Sequence, residues 1–103
     1  MPIIDAGQLA IAYKENTVAA DQTFKGKQFK ISGIVESINT DVFGDPYLTL
    51  RGGVNPFMEP QFGFGQEHSN RIAGLRKGMK ATLLCTGRGD VAKTPISKDC
   101  QLL

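Results

Sequence analysis

Lys27-Gln28-Phe29-Lys30-Ile31-Ser32-Gly33-Ile34-Val35 is the stretch on which the reading of the fold turns. Phe29, Ile31, Gly33 and Val35 fall on one face, and Gln28, Lys30, Ser32 and Ile34 on the other. That is the period of two of a half-buried strand, not the 3.6 of a helix. Gly33 in its middle suits a sharply bent strand, where a Cβ would obstruct the curvature; the alternative is a small residue there by chance.

Downstream, the same period recurs in shorter runs. Gly44-Asp45-Pro46 is a turn, and Tyr47-Leu48-Thr49-Leu50-Arg51 is a second strand with Leu48 and Leu50 inward and Tyr47, Thr49 and Arg51 outward. Gly52-Gly53 opens a loop that runs to Pro60, and Phe62-Gly63-Phe64 is a third strand with both rings in the core. Ser69 caps a short helix through Leu75, which Gly78 closes. Met79 to Gly87 is a fourth strand with Ala81, Leu83 and Cys85 inward, and Gly87-Arg88-Gly89-Asp90 reads as a turn-rich loop. Ile96 to Leu102 is the last strand, with Ile96 and Cys100 facing the core.

Upstream, the period lengthens. Asp5 is an N-cap for a helix to Asn16, with Leu9, Ala12 and Tyr13 on one side and Gln8, Lys14 and Glu15 on the other. Asn16-Thr17 interrupts it, and a second short helical turn places Val18 and Phe24 toward the body before stopping at Gly26. The element order is helix, three strands, short helix, two strands. It predicts an all-β domain with accessory helices: a five-stranded OB-type barrel with a helix between strands three and four. An open antiparallel sheet with helices on one side is the second architecture. Residues 1–26 form an N-terminal helical segment packed on a barrel of residues 27–103, in one domain, as 103 residues allow.

Composition narrows the function classes. Apolar residues at 41% and charged residues at 21% describe an ordinary folded domain. Twelve Lys/Arg against ten Asp/Glu leave +2, which permits nucleic-acid binding without requiring it. Met1-Pro2-Ile3-Ile4-Asp5 has neither a basic start nor an apolar run, so the expected location is the cytoplasm, or the periplasm if a leader has been removed. No stretch approaches the roughly 20 apolar residues of a membrane span, and no membrane partner is expected. Cys85 and Cys100 form no CxxC pair and His68 is the single histidine, so no metal site is expected. Two readings remain for the cysteines, a disulfide between neighbouring strands or two buried free thiols. The reducing cytosol favours the second.

Several stretches then carry a family likeness. Ala12-Tyr13-Lys14-Glu15-Asn16, Ala19-Ala20-Asp21, Phe24-Lys25-Gly26-Lys27 and Ser32-Gly33-Ile34-Val35-Glu36-Ser37-Ile38 resemble the tRNA-anticodon-like (tRNA_anti-like) OB family of small, mostly bacterial proteins. The ending Ser97-Lys98-Asp99-Cys100-Gln101-Leu102 is similar to that family's closing strand. The resemblance implies an OB barrel and a nucleic-acid-binding role, and it names no catalytic residue. Against the family pattern, no leader of the kind many members carry is expected, Cys85 stands where a small residue is common, and the Gly52–Pro60 stretch is particular to this chain.

No catalytic constellation stands out. His68 sits in the polar run Gln66-Glu67-His68-Ser69-Asn70, where a solvated loop histidine is the ordinary case. Gly63-Phe64-Gly65 and Gly87-Arg88-Gly89 lack the residues of a phosphate loop, and the aspartates lie mainly in turns. The chain therefore reads as a non-catalytic binding protein with no cofactor. An OB barrel binds across the outer face of strands two and three, between the loops joining strands one–two and four–five. On that basis Lys30, Tyr47, Thr49, Arg51, Arg88 and Lys93 are the candidate contacts for single-stranded DNA or RNA. The alternative is a protein-binding inhibitor or adaptor of a mobile element, phage or plasmid, anchored by Phe43, Phe57 and Met58.

Overall fold

The computed structural model describes residues 2–53, 55 and 58–103. Thirteen residues from Gln28 to Thr40 form one long strand, β2, preceded by a short strand β1 (Ile3–Asp5) and helices α1 (Ala6–Glu15) and α2 (Thr17–Phe24). Strands β3 (Pro46–Leu50) and β4 (Gln61–Gly63) follow, then a 3-10 turn, helix α3 (Ser69–Ala73), and strands β5 (Lys80–Val91) and β6 (Thr94–Leu102). The sheet runs β1-β2-β3-β4-β6-β5, and β5 pairs back onto β2. That last pairing closes five strands into the expected barrel and leaves β1 as an added edge, parallel to β2.

β2 takes part in both halves of the barrel because it changes neighbours midway. Gln28 to Ile34 pair with β5, and Val35 to Thr40 pair with β3 across an irregularity between Val35 and Ser37. Gly33 sits at this change. A Cβ there would press on Ala6 Cβ at 3.1 Å and Leu50 Cβ at 3.3 Å, so the missing side chain lets α1 approach the bent strand. The inner rows expected from the alternation are buried: Phe29, Ile31 and Val35 on β2, Leu48 and Leu50 on β3, Ala81, Leu83 and Cys85 on β5, and both Phe62 and Phe64.

The helices are specified locally. Asp5 caps α1, its carboxylate accepting from Gly7 N–H while Gln8 Oε1 accepts from Asp5 N–H, each at 2.9 Å. Asn16 ends α1 by donating to Ala12 O, and its own side chain caps α2 by accepting from Ala19 N–H at 3.0 Å. Tyr13 is buried among Leu9, Phe24 and Phe29, and its hydroxyl donates to Asp21 Oδ1 at 2.9 Å. Burial first, and the Asp21 hydrogen bond second, push the Tyr13 phenol well above its ordinary range.

Four readings of the sequence are corrected. Cys85 and Cys100 are joined in a disulfide; β5 and β6 are antiparallel neighbours, which brings the two buried residues together. Ile96 lies outside the core, with Pro95 and Ser97 turned inward. The strand loses register opposite Cys85, where Asp99 takes a left-handed φ of 52°, so Ile96 and Cys100 no longer share a face. Val18 is 70% exposed on the outer side of α2. Gly87 to Asp90 continue strand β5, and the chain reverses later, at Ala92 and Lys93.

Candidate nucleic-acid interface

The outer face of β3 carries Tyr47 and Thr49, Arg51 follows directly after the strand's last residue, and each meets a different environment. Tyr47 lies opposite Gly63 on β4, so its half-buried ring borders bare backbone. This is the floor of a cleft of about 600 Å³. Thr40, Asp41 and Val42 of the β2–β3 hairpin form one wall, Gln61 stands beside Gly63, and Ile96, Ser97 and Lys98 of β6 form the other wall. Asp41 is tied to its own loop, accepting from Phe43 N–H at 2.9 Å and Asp45 N–H at 3.0 Å. Lys98 is the cation of the cleft, and its nearest anion, Asp99, is 3.8 Å away.

Thr49 continues the row with its hydroxyl already engaged, 2.5 Å from Ser37 Oγ, which in turn accepts from Asn39 Nδ2 at 2.8 Å. Arg51 ends the row. Its Nε donates to Glu36 Oε2 at 2.5 Å, while Lys77 Nζ reaches the other carboxylate oxygen at 3.2 Å. Those two hydrogen bonds, Arg51's first, hold the Glu36 carboxyl below its usual range.

The remaining basic candidates do not converge on the cleft. Lys30 lies between β1 and β5, opposite Ile3 and Leu84. Arg88 follows Gly87, whose N–H and C=O bond to Lys27 and Gly26 next to the end of α2. Lys93, at the tip of the β5–β6 hairpin, donates to Thr17 Oγ1 at 2.8 Å and so points to the junction of α1 and α2. Of the six nucleic-acid candidates, Tyr47 alone lines the cleft. Gln61, Ile96 and Lys98 are lining residues that the sequence reading missed. Gln61 comes from β4, and the outward parity of Ile96 and Lys98 on β6 goes with the Asp99 irregularity, which no residue type announces on its own.

Among the protein-binding candidates, Phe43 is 81% exposed at the hairpin tip beside the fully exposed Val42. Met58 is half-buried, and its sulfur accepts from Asn55 Nδ2 at 3.0 Å. Phe57 lies outside the described residues. A groove of about 420 Å³ at the base of the same hairpin runs along α3, floored by Ile38, Pro46 and Ile72. His68 packs edge-on against Phe64 with ring centres 6.1 Å apart, and stands 3.6 Å from Glu67.

The tRNA_anti-like family model matches residues 1–101. No curated protein matches the chain. Among solved structures it is similar to a "putative nucleic acid-binding lipoprotein" of Klebsiella pneumoniae subsp. pneumoniae MGH 78578, at 20% identity and a TM-score of 0.80. The alignment covers 100% of this chain and 92% of that one, and at this identity it is a likeness of fold. No helix among the described residues is long and apolar enough to cross a membrane.

Proposed function

Because this chain belongs to the tRNA_anti-like family, we propose that it binds single-stranded nucleic acid, without catalysis, across the β3–β4–β6 face. The observation that carries the reading is the Tyr47 ring set against bare Gly63 in a cleft shared with Gln61 and Lys98. An aromatic ring on an OB face stacks any base, the Gln61 amide both donates and accepts toward a base edge, and Lys98 supplies a phosphate partner. Sequence tolerance follows, since stacking does not distinguish bases strongly. The structural neighbour's name agrees with this ligand class.

Stacking on one ring is worth about 1–3 kcal/mol per base, so Tyr47→Ala weakens binding of a fluorescein-labelled oligonucleotide about 5- to 150-fold, and Tyr47→Phe keeps most of it. Fluorescence anisotropy at low salt reads this directly. A wild-type protein that leaves the oligonucleotide unbound at low salt ends the proposal.

A second reading rests on Val42 and Phe43, 93% and 81% exposed at the hairpin tip. Bare apolar side chains of this kind suit a protein partner, and Phe43→Ser abolishes capture of such a partner without altering oligonucleotide binding. As for location, the Cys85–Cys100 disulfide favours an oxidising compartment, and so the periplasmic alternative over the cytoplasmic expectation.

A further inference from the structure

The cleft itself is poor in positive charge, yet the chain has a basic surface that begins where the β3 row ends. Residues 76–80, Arg-Lys-Gly-Met-Lys, are clasped to the bend of β2: Val35 N–H donates to Met79 O and Gly78 N–H to Val35 O, both at 2.8 Å. Lys80 stands opposite Ile34 on one edge of β2, and on the other edge Arg51 N–H bonds to Ile34 O at 2.8 Å. Two strand spacings separate them, about 10 Å. Lys77 and Arg51 converge on Glu36 in the next row. Arg51, Arg76, Lys77 and Lys80 are all exposed.

Charge arithmetic gives the patch its weight. Arg51, Arg76, Lys77 and Lys80 against Glu36, which pairs with two of them, leave +3 here, more than the +2 of the entire chain, so everything else is net acidic by one. This part of the surface, held to the barrel by backbone bonds, is a fixed cluster of positive charge of the kind that attracts a polyanion.

We propose that Arg51, Arg76, Lys77 and Lys80 form a phosphate-binding track for the strand whose base stacks on Tyr47. The ligand would run along the outer row of β3, from Tyr47 past Thr49 to Arg51, a rise of about 13 Å, and on to residues 76–80. This rests on the nucleic-acid reading above and adds the residues that hold the backbone. Glu36 is the internal counter-anion. It keeps Arg51 and Lys77 in place when the track is empty and releases both to phosphate when it fills, so it opposes binding while organising it.

That role separates the track from a merely structural ion cluster. Each cation that meets a phosphate of a single strand contributes about −0.7 to the slope of log K against log salt. Lys77→Gln with Lys80→Gln therefore flattens the slope for a labelled dT12 oligonucleotide by about 1.4, with thermal melting confirming the fold. Glu36→Gln does the opposite: it tightens dT12 binding at least threefold and steepens the slope. An abasic 12-mer keeps the part of the slope that depends on Lys77 and Lys80 and is indifferent to Tyr47→Ala. If dT12 binds and responds to Tyr47→Ala, while the double variant leaves the slope unchanged or Glu36→Gln weakens binding, the track is refuted and the cleft stands. If dT12 does not bind but vesicles containing anionic phosphatidylglycerol pellet the wild type and not the double variant, the patch is a lipid-facing surface and both proposals fall. Binding of neither probe also overturns both.

Discussion

Reducing the Cys85–Cys100 disulfide tests how much of this small barrel depends on a staple. The two cysteines are 15 residues apart, on neighbouring strands joined by the β5–β6 hairpin. Closing a loop of that length in the unfolded chain removes entropy worth about 3 kcal/mol at 25 °C. For a domain near 100 residues, each kcal/mol shifts Tm by about 4–8 °C, so the reduced protein should melt about 12–24 °C below the oxidised one. Both cysteines are buried, so the comparison requires reduction in denaturant and refolding under a reductant. Comparing two redox forms of one sequence also avoids the cavity term that Cys→Ala changes would add. The assay is thermal unfolding by circular dichroism, with thiols counted in guanidinium before each scan. Oxidised and reduced forms melting within about 3 °C of each other, or two free thiols after air oxidation, would refute the reasoning.

Two further perturbations act on other parts of the fold. Tyr13→Phe removes the hydroxyl that donates to Asp21, and because Asp21 is partly solvated the loss is near the lower end for such bonds, about 1 kcal/mol at pH 7 by urea titration. The Tyr13 phenol is raised in the fold above its unfolded value near 10, so its contribution is complete below pH 10 and lost as pH rises toward the folded value; the gap between wild type and variant therefore closes above pH 10. At the β5–β6 hairpin, Ala92 and Lys93 have φ of 48° and 74°, a conformation that costs an L-residue about 1–2 kcal/mol. Replacing them with Asn-Gly should raise Tm by about 4–8 °C, and a fall would show that the Lys93 bond to Thr17 outweighs the strain.

Much of the barrel was legible because it is written in local periods. The alternation from Phe29 to Val35, the capped helix from Asp5 and the hinge at Asn16 each depend on neighbours within a few residues, where side-chain chemistry and backbone geometry are directly coupled. The inward rows of β3 and β5 follow from the same rule. Ile96 broke it, because parity along β6 changes at Asp99, and that change answers to pairing with β5 rather than to the residues flanking it. The short strand β1 likewise exists only because β2 offers it an edge.

The candidate site divides along the same line. Alternation alone turned Tyr47, Thr49 and, just past the end of β3, Arg51 outward in one row, and it fixed their order. Only the closed barrel decided their company. Gln61, Ile96 and Lys98 complete the cleft around Tyr47, while Lys93 is drawn away to Thr17. Arg51 joins Lys77 around Glu36 although Lys77 lies 26 positions from Arg51 and 41 from Glu36, since β2 lends its bend to both β3 and the 76–80 segment. Within an unbroken strand, sequence determines which residues face outward, because that is a matter of period; which charges and rings then share one surface is set by strand pairing across the barrel, and no local pattern contains it.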